Sequence, residues 1–312
     1  MQFSIRPSAG SGLLAKLLGN GSLLAGVAVL LLSVRPVLVK LCYAYSVDAV
    51  TLLTLRMGLA LPAFVAVALW LRRRAAPEPI RRSDWYLIAL LGFVGYYLAS
   101  YLDFLGLQYI PAGLGRLILF VYPTVVVIMS WGFLRRPAGA RQIVALGVTY
   151  AGLALVLGET ARIHDQAHLL LGSVLVFASA VSYSIYLVIG SQVVQRVGAL
   201  RFTAYATIVA SGLCIIQFAL MRPWSALAVP SAVWAYSALM AIGCTVIPLF
   251  LTAEALRRVG ANQVAIIGAL GPVTTIAFGA VGLDERLGWI QLLGSAIVLA
   301  GVLLVTTGNR QR

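Results

Sequence analysis

Two short stretches decide the architecture: "LRRPAGARQ", from Leu134 to Gln142, and "LDERLGWIQ", from Leu283 to Gln291. Each ends one apolar run and opens the next. Each starts with Leu, carries a charged pair at the next two positions and closes on Gln, yet one pair is Arg-Arg and the other Asp-Glu. They lie 149 residues apart. The same shift, without a gap, brings Leu107 onto Leu256, Ala112 onto Ala261, Ile118 onto Ile267 and Pro123 onto Pro272. It also brings Ala151-Gly152 onto Ala300-Gly301 and Leu155-Val156 onto Leu304-Val305. A fixed register over this length marks an internal repeat. The front halves echo more faintly, "GSLL" at Gly21 against "GSVL" at Gly172.

The runs on either side of these loops are built for lipid. Hydrophobic residues make up 61% of the chain and charged residues 10%, and the mean hydropathy is +0.98. An ordinary soluble domain is about 25% charged. A spanning helix needs about 20 mainly apolar residues. Ten stretches qualify, at roughly 21–43, 49–71, 85–107, 111–134, 139–158, 168–190, 200–221, 231–255, 261–283 and 287–307. The first run is too long for a cleaved leader of roughly 7–15 apolar residues and contains Arg35 and Lys40, so it reads as a retained span. The net charge of +14 does not point to nucleic acid, because the arginines are scattered between apolar runs and form no basic face. Cys42, Cys214 and Cys244 fall within or at the end of apolar runs and make no disulfide framework.

Lys and Arg set the orientation. With ten spans, sixteen of the 23 basic residues fall on the side of the N-terminus, three (Arg162, Arg222, Arg286) fall on the other, and four lie inside spans. The first side is therefore expected to be cytoplasmic, with both termini there. Each copy of the repeat holds five spans, an odd number, so the second copy enters from the opposite side. The expectation is an all-α integral membrane protein of two inverted five-helix repeats, residues 1–158 and 159–312, an architecture that recurs in secondary transporters. The charge switch then has a cause. Arg135-Arg136 faces the cytoplasm, where Arg is favoured, and Asp284-Glu285 faces outward, where acids are tolerated.

The chain resembles the drug/metabolite transporter superfamily, specifically its EamA family of ten-span carriers. The resemblance rests on "SVRPVLVKL" (Ser33 to Leu41), "LTLRMGLALP" (Leu53 to Pro62), "LQYIPAGLGRLILFVYPTVVV" (Leu107 to Val127) and, most specifically, the block from Leu256 to Val305. The first span departs from the family pattern: it lacks a Trp near Ser33 and has Arg35-Pro36. Arg136 stands where the family often has an acid, which Glu285 keeps. The resemblance implies small-molecule transport, commonly export of amino acids or related metabolites, in a bacterial plasma (inner) membrane.

Charges inside a bilayer cost about 2.5–3.5 kcal/mol each on insertion scales and mark functional sites. Arg35 sits deep in the first span, before Pro36, whose missing N–H can kink the helix and free a carbonyl. Lys40 and Arg56 lie nearer the outer ends of the first two spans, where snorkelling competes with a gating role. Asp103, one turn before the end of the third span, and Arg116, one turn into the fourth, are expected at similar depth, as an ion pair at the outer mouth. Glu254 reads as an interfacial acid near the cytoplasmic end of the eighth span. Cations outnumber anions within the spans, so the expected cavity attracts a carboxylate. Tyr97, Tyr101, Tyr122, Tyr183 and Tyr186 supply aromatic walls, and Asn262 and Gln263 open the ninth span. Pro123 and Pro272 are candidate symmetric hinges. His164 and His168, at i and i+4, are too little for a metal site, and no nucleotide-binding or catalytic motif is present. The expected function is a secondary carrier without cofactor, metal or obligate protein partner, exporting a small carboxylate-bearing metabolite across the lipid bilayer. Import and multidrug export are the alternatives, a membrane-embedded enzyme or a scaffold the more distant ones.

Overall fold

The computed structural model describes residues 20–74, 80–134, 140–161, 166–268, 270–285 and 288–307. Among these the regular elements are all helical. Helix α1 is Gly21–Tyr43 and α2 is Ala49–Arg74. Helix α3 is Arg82–Leu107, with a π-helical segment at Gly92–Leu98. Two shorter helices follow, α4 (Ala112–Leu119) and α5 (Tyr122–Leu134), then α6 (Ala140–Thr160). The second half holds α7 (Gln166–Val197) and α8 (Ala199–Met221). Helix α9 runs through Ser231–Ala238, a π segment at Leu239–Val246 and Ile247–Gly268, followed by α10 (Gly271–Gly282) and α11 (Trp289–Thr307).

Eight of the described helical runs are long and apolar enough to cross a membrane, and Gly271–Gly282 and Trp289–Leu304 are shorter apolar helices. Exposed Trp70, Trp85 and Tyr86 gather where α2 ends and α3 begins. Tyr45, Trp224, Trp234 and Trp289 lie near the opposite helix ends. This is the placing expected of interfacial aromatics.

Three expected spans are bounded differently. The fourth is broken at Phe120-Val121, so α4 and α5 are separate helices. The eighth and ninth do not part at 256–260; helix continues to Gly268 and the chain breaks around Leu270. Pro111, which cannot donate to a helix, interrupts the corresponding stretch of the first half, whereas Gly260 at the matched position keeps its N–H. The repeat is otherwise visible in these irregularities. The π segment of α3, shifted by 149, overlaps that of α9, and the break before Tyr122-Pro123 falls on the break before Gly271-Pro272.

Two pairs of helices at matched positions lie antiparallel, α2 with α8 and α6 with α11. Helix α2 lies against α8, with Thr54 Oγ1 donating to Cys214 O and Ser211 Oγ to Met57 O. Helix α6 lies against α11 through glycine. A Cβ on Gly152 would come 2.8 Å from Gly294 O and Val298 N, and one on Gly301 would come 2.9 Å from Ala145 O. Ala145 and Thr149 are the repeat equivalents of Gly294 and Val298, so these two contacts are one contact seen twice. Helix α3 lies against α7, where Ser179 and Ser182 donate to Ala99 O and Val94 O at 2.6 and 2.7 Å. Val94 is within the π segment, whose widened turn offers carbonyls to a neighbour.

Candidate functional site

Helix α1 carries the centre of the site. Arg35 Nη2 donates to Asp103 Oδ2 on α3 at 3.1 Å, with the side chains 17% and 6% exposed. Asp103 is thus joined to Arg35 and not, as its depth suggests, to Arg116. Depth was readable from residue counting; the facing direction was not. Arg116 points instead toward Gly271 at the start of α10, where a Cβ would sit 3.2 Å from its Nη2. The absent side chain gives the guanidinium its space.

Two further cations surround this pair. Arg56 on α2 is 3% exposed. Its Nε donates to Thr245 Oγ1 in the π segment of α9 at 3.3 Å, and its guanidinium carbon lies 5.3 Å from the centre of the Phe104 ring. Thr245 passes the interaction on, donating to Met240 O at 2.9 Å. Arg56 Nη1, Arg116 Nε and Arg35 Nε are buried without a hydrogen-bond partner among the described residues.

The aromatic residues form two groups. Tyr122 and Tyr183 meet edge-on at 5.2 Å, and Tyr183 stacks on Tyr186 at 5.6 Å. Tyr186 reaches Tyr96, their hydroxyls 3.2 Å apart. Tyr97 and Tyr101, one turn apart on α3, stack on each other at 6.3 Å. Tyr96 was missed in the sequence, where it is one of two adjacent tyrosines and only Tyr97 keeps step with Tyr101.

Proline and serine define the joints. Pro36 is internal to α1 and leaves the Leu32 carbonyl without its helical donor. Beside it, Ser33 Oγ lies 2.7 Å from Val29 O and 3.1 Å from Gly271 O. Ser184 Oγ lies 2.7 Å from Ala180 O and 3.1 Å from Tyr122 O. Ser184 is Ser33 displaced by 151, the offset of the front halves, so the same link holds the start of α10 and the start of α5. Pro123 and Pro272 occupy the second positions of those two helices. Among the described residues the α10 link alone is reinforced: Thr274 Oγ1 donates to Ser33 Oγ and Thr275 Oγ1 to Ser33 O.

Outside this centre, Lys40 Nζ donates to Leu107 O at 3.1 Å, closing the end of α3 rather than only reaching for the interface. Glu285, noted in the sequence only as the acid of its loop, accepts the Ala112 and Gly113 N–H groups at 2.8 and 3.4 Å. It thereby caps α4 from the other repeat. Lys40, Tyr109, Ile110, Pro111, Leu283 and Glu285 line a cavity of about 310 Å³. Asp48 caps α2, accepting from Thr51 Oγ1 at 2.6 Å, and pairs with Arg222 at 3.2 Å. Burial would raise its carboxyl pKa, but the Thr51 hydrogen bonds and Arg222 overcome this and hold it below its usual range. Buried Asp84 pairs with Arg196 at 2.7 Å, tying α3 to α7, and Glu254 pairs with Arg258 one turn on. Asn262 and Gln263 lie on the Ile247–Gly268 helix; their side chains, like Arg135, Arg136 and His164, fall outside the described residues. His168 stacks on Tyr109.

The model of the EamA-like transporter family matches this chain twice, over residues 19–158 and 170–307. The chain belongs to that family. It is 30% identical to the uncharacterized transporter YcbK of Bacillus subtilis, over 89% of this chain and 88% of that one. An uncharacterized transporter of Archaeoglobus fulgidus is 26% identical over 85% and 90%. The threonine/homoserine exporter RhtA of Salmonella typhimurium is 27% identical over 64% of each. A solved crystal structure, 18% identical, superposes with a TM-score of 0.62 over 93% of this chain and 99% of its own, which supports the fold. This EamA protein is a multi-pass integral membrane transporter and not an enzyme.

Proposed function

We propose that this EamA protein is a secondary carrier that moves a small carboxylate-bearing metabolite, an amino acid or a related compound, out of the cell by alternating access. Ten spans form two inverted repeats, residues 1–158 and 159–312, with both termini cytoplasmic. The matched π segments, matched breaks and antiparallel pairing of α6 with α11 support this arrangement. Salt bridges join residues that the expected topology puts on one side: Asp84 with Arg196 within, Asp48 with Arg222 outside.

The observation that carries the cargo assignment is the composition of the centre. Arg35, Arg56 and Arg116 converge there from α1, α2 and α4, and Asp103 is their one carboxylate among the described residues. Planar guanidinium groups bind carboxylates through paired N–H donors, and the tyrosine cluster offers an apolar wall beside them. The name of the RhtA relative is in keeping with amino-acid export.

The test is transport of a labelled metabolite panel by protein reconstituted in liposomes, with wild type beside Arg35→Ala and a pH gradient imposed or absent. Carboxylate-bearing compounds move in wild type and fail in folded Arg35→Ala. Dependence on the gradient separates proton coupling from exchange, and the sidedness of uptake fixes direction. Movement of cationic drugs, unaffected by Arg35→Ala, refutes the assignment.

A further inference from the structure

The centre is short of negative charge by two. Arg35 already holds Asp103. Arg116 has no hydrogen-bond acceptor among the described residues, and its Nε is buried. Arg56 satisfies one nitrogen on a neutral hydroxyl and leaves Nη1 unmet. Removing an ion from water costs several kcal/mol unless a partner compensates it. An anion that completes the centre would stabilise the two guanidinium groups left in this state. A monocarboxylate leaves one positive charge uncompensated, and a zwitterion leaves both, since its ammonium cancels its carboxylate.

Position favours two separate acidic groups over one doubly charged group. Arg35 and Arg116 stand on different helices, α1 and α4, and both are partly accessible, whereas Arg56 is sealed beside Phe104. Arg116 faces the start of α10, against Gly271, and Arg35 faces α3. Arg56 then acts as a fixed charge behind them.

We propose that the cargo carries two carboxylates, one met by Arg116 and the other by Arg35, so that the filled centre is neutral. This deepens the reading above and rests on its anion-attracting cavity.

The experiment is calorimetric binding to protein in nanodiscs, using succinate, glutarate, butyrate, alanine, inorganic phosphate and butylamine. Succinate or glutarate is expected to bind at least tenfold more tightly than butyrate, with alanine weaker still. Arg116→Gln should cut that preference to less than threefold while butyrate binding persists through Arg35. Arg116→Lys, which keeps the charge, should retain the preference and controls for folding. Asp103→Asn, which adds one net positive charge, should tighten dicarboxylate binding. Equal binding of succinate and butyrate to wild type overturns the two-carboxylate inference and leaves the anionic cavity intact. A preference for phosphate over both dicarboxylates overturns it in favour of a single doubly charged group. Binding of butylamine with none of the anions overturns the cavity reading itself.

Discussion

The seam between α6 and α11 can be tested with one methyl group. In Gly152→Ala the new Cβ meets backbone on the facing helix, Gly294 O and Val298 N, at 2.8 Å. Ordinary contact begins at 3.4 Å, so the helices must part by about 0.6 Å or shift along each other; neither atom belongs to a side chain that can swing away. Overpacking of this kind costs about 1–3 kcal/mol, against a helix-propensity gain for Ala of up to about 1 kcal/mol. Gly147 and Gly158, on the same helix, have open space within 4 Å of a Cβ. Gly147→Ala and Gly158→Ala therefore collect the propensity gain alone. Thermal unfolding in one detergent should place Gly152→Ala several degrees below both controls. Gly301→Ala, the repeat equivalent, should fall with it. The double variant should lose less than the sum, because helices parted once relieve both clashes. An unfolding midpoint for Gly152→Ala at or above that of Gly147→Ala would refute the close crossing, and with it this evidence for two-fold packing.

Breaking the Arg35–Asp103 pair should cost about 3–5 kcal/mol, and unequally by side. Asp103→Asn leaves three guanidinium groups with no carboxylate, whereas Arg35→Gln leaves Asp103 near Arg116, so the first should unfold at the lower temperature; the reverse order contradicts the charge count. Glu285→Gln weakens a charged cap worth about 0.5–2 kcal/mol and should speed hydrogen exchange at Ala112 and Gly113; unchanged exchange there would show that the cap holds nothing. Asp48 has a carboxyl pKa held below its unfolded value, so its stabilisation is complete above the unfolded pKa of about 4. That contribution is lost as pH falls through the lower folded value, and an Asp48→Asn variant should show a shallower decline in unfolding temperature below pH 4. Ser184→Ala should raise exchange at the start of α5 more than Ser33→Ala does at the start of α10, where the Thr274 hydroxyl, released from Ser33, can donate instead to Gly271 O at 2.9 Å.

The helices and the repeat were legible in the sequence because lipid imposes a length and composition on every span, and because Leu, Gln and Pro recur at one offset. The breaks at Phe120-Val121 and Leu270 were not. Both lie inside apolar runs without a polar residue to mark them, and the prolines at 123 and 272 start the next helices and do not sit in the gaps. Of the candidate site, charge marked Arg35, Asp103, Arg56 and Arg116 in the sequence. Their pairing could not be read, because residue counting gives depth in the membrane and not the direction a side chain faces. The capping role of Glu285 was hidden for another reason: its partners are backbone N–H groups, which leave no mark on the residue type at Ala112 or Gly113.

The frame is two-fold and the chemistry is not. Shifted by 151, Arg35 becomes Tyr186; shifted by 149, Asp103 becomes Thr252 and Arg116 becomes Ala265. The charges therefore belong to the first repeat, while Tyr183 and Tyr186 come from the second. The alternating-access carrier proposed above needs two states of nearly equal free energy, and matched joints at Ser33 and Ser184 would supply a geometric route between them. It must also hold its cargo through the exchange, which a site built by one repeat does without remaking its ion pairs. The joints themselves are unequal: Thr274 and Thr275 reinforce the one at α10, and Val125 and Val126 stand at the matched positions near α5. A valine offers no hydrogen bond to replace the threonine hydroxyl, so the α5 joint is the looser of the two. Motion that changes access to the centre should begin where α5 meets α7, beside the tyrosines, while α1 and α10 keep Arg35 and Arg116 in place.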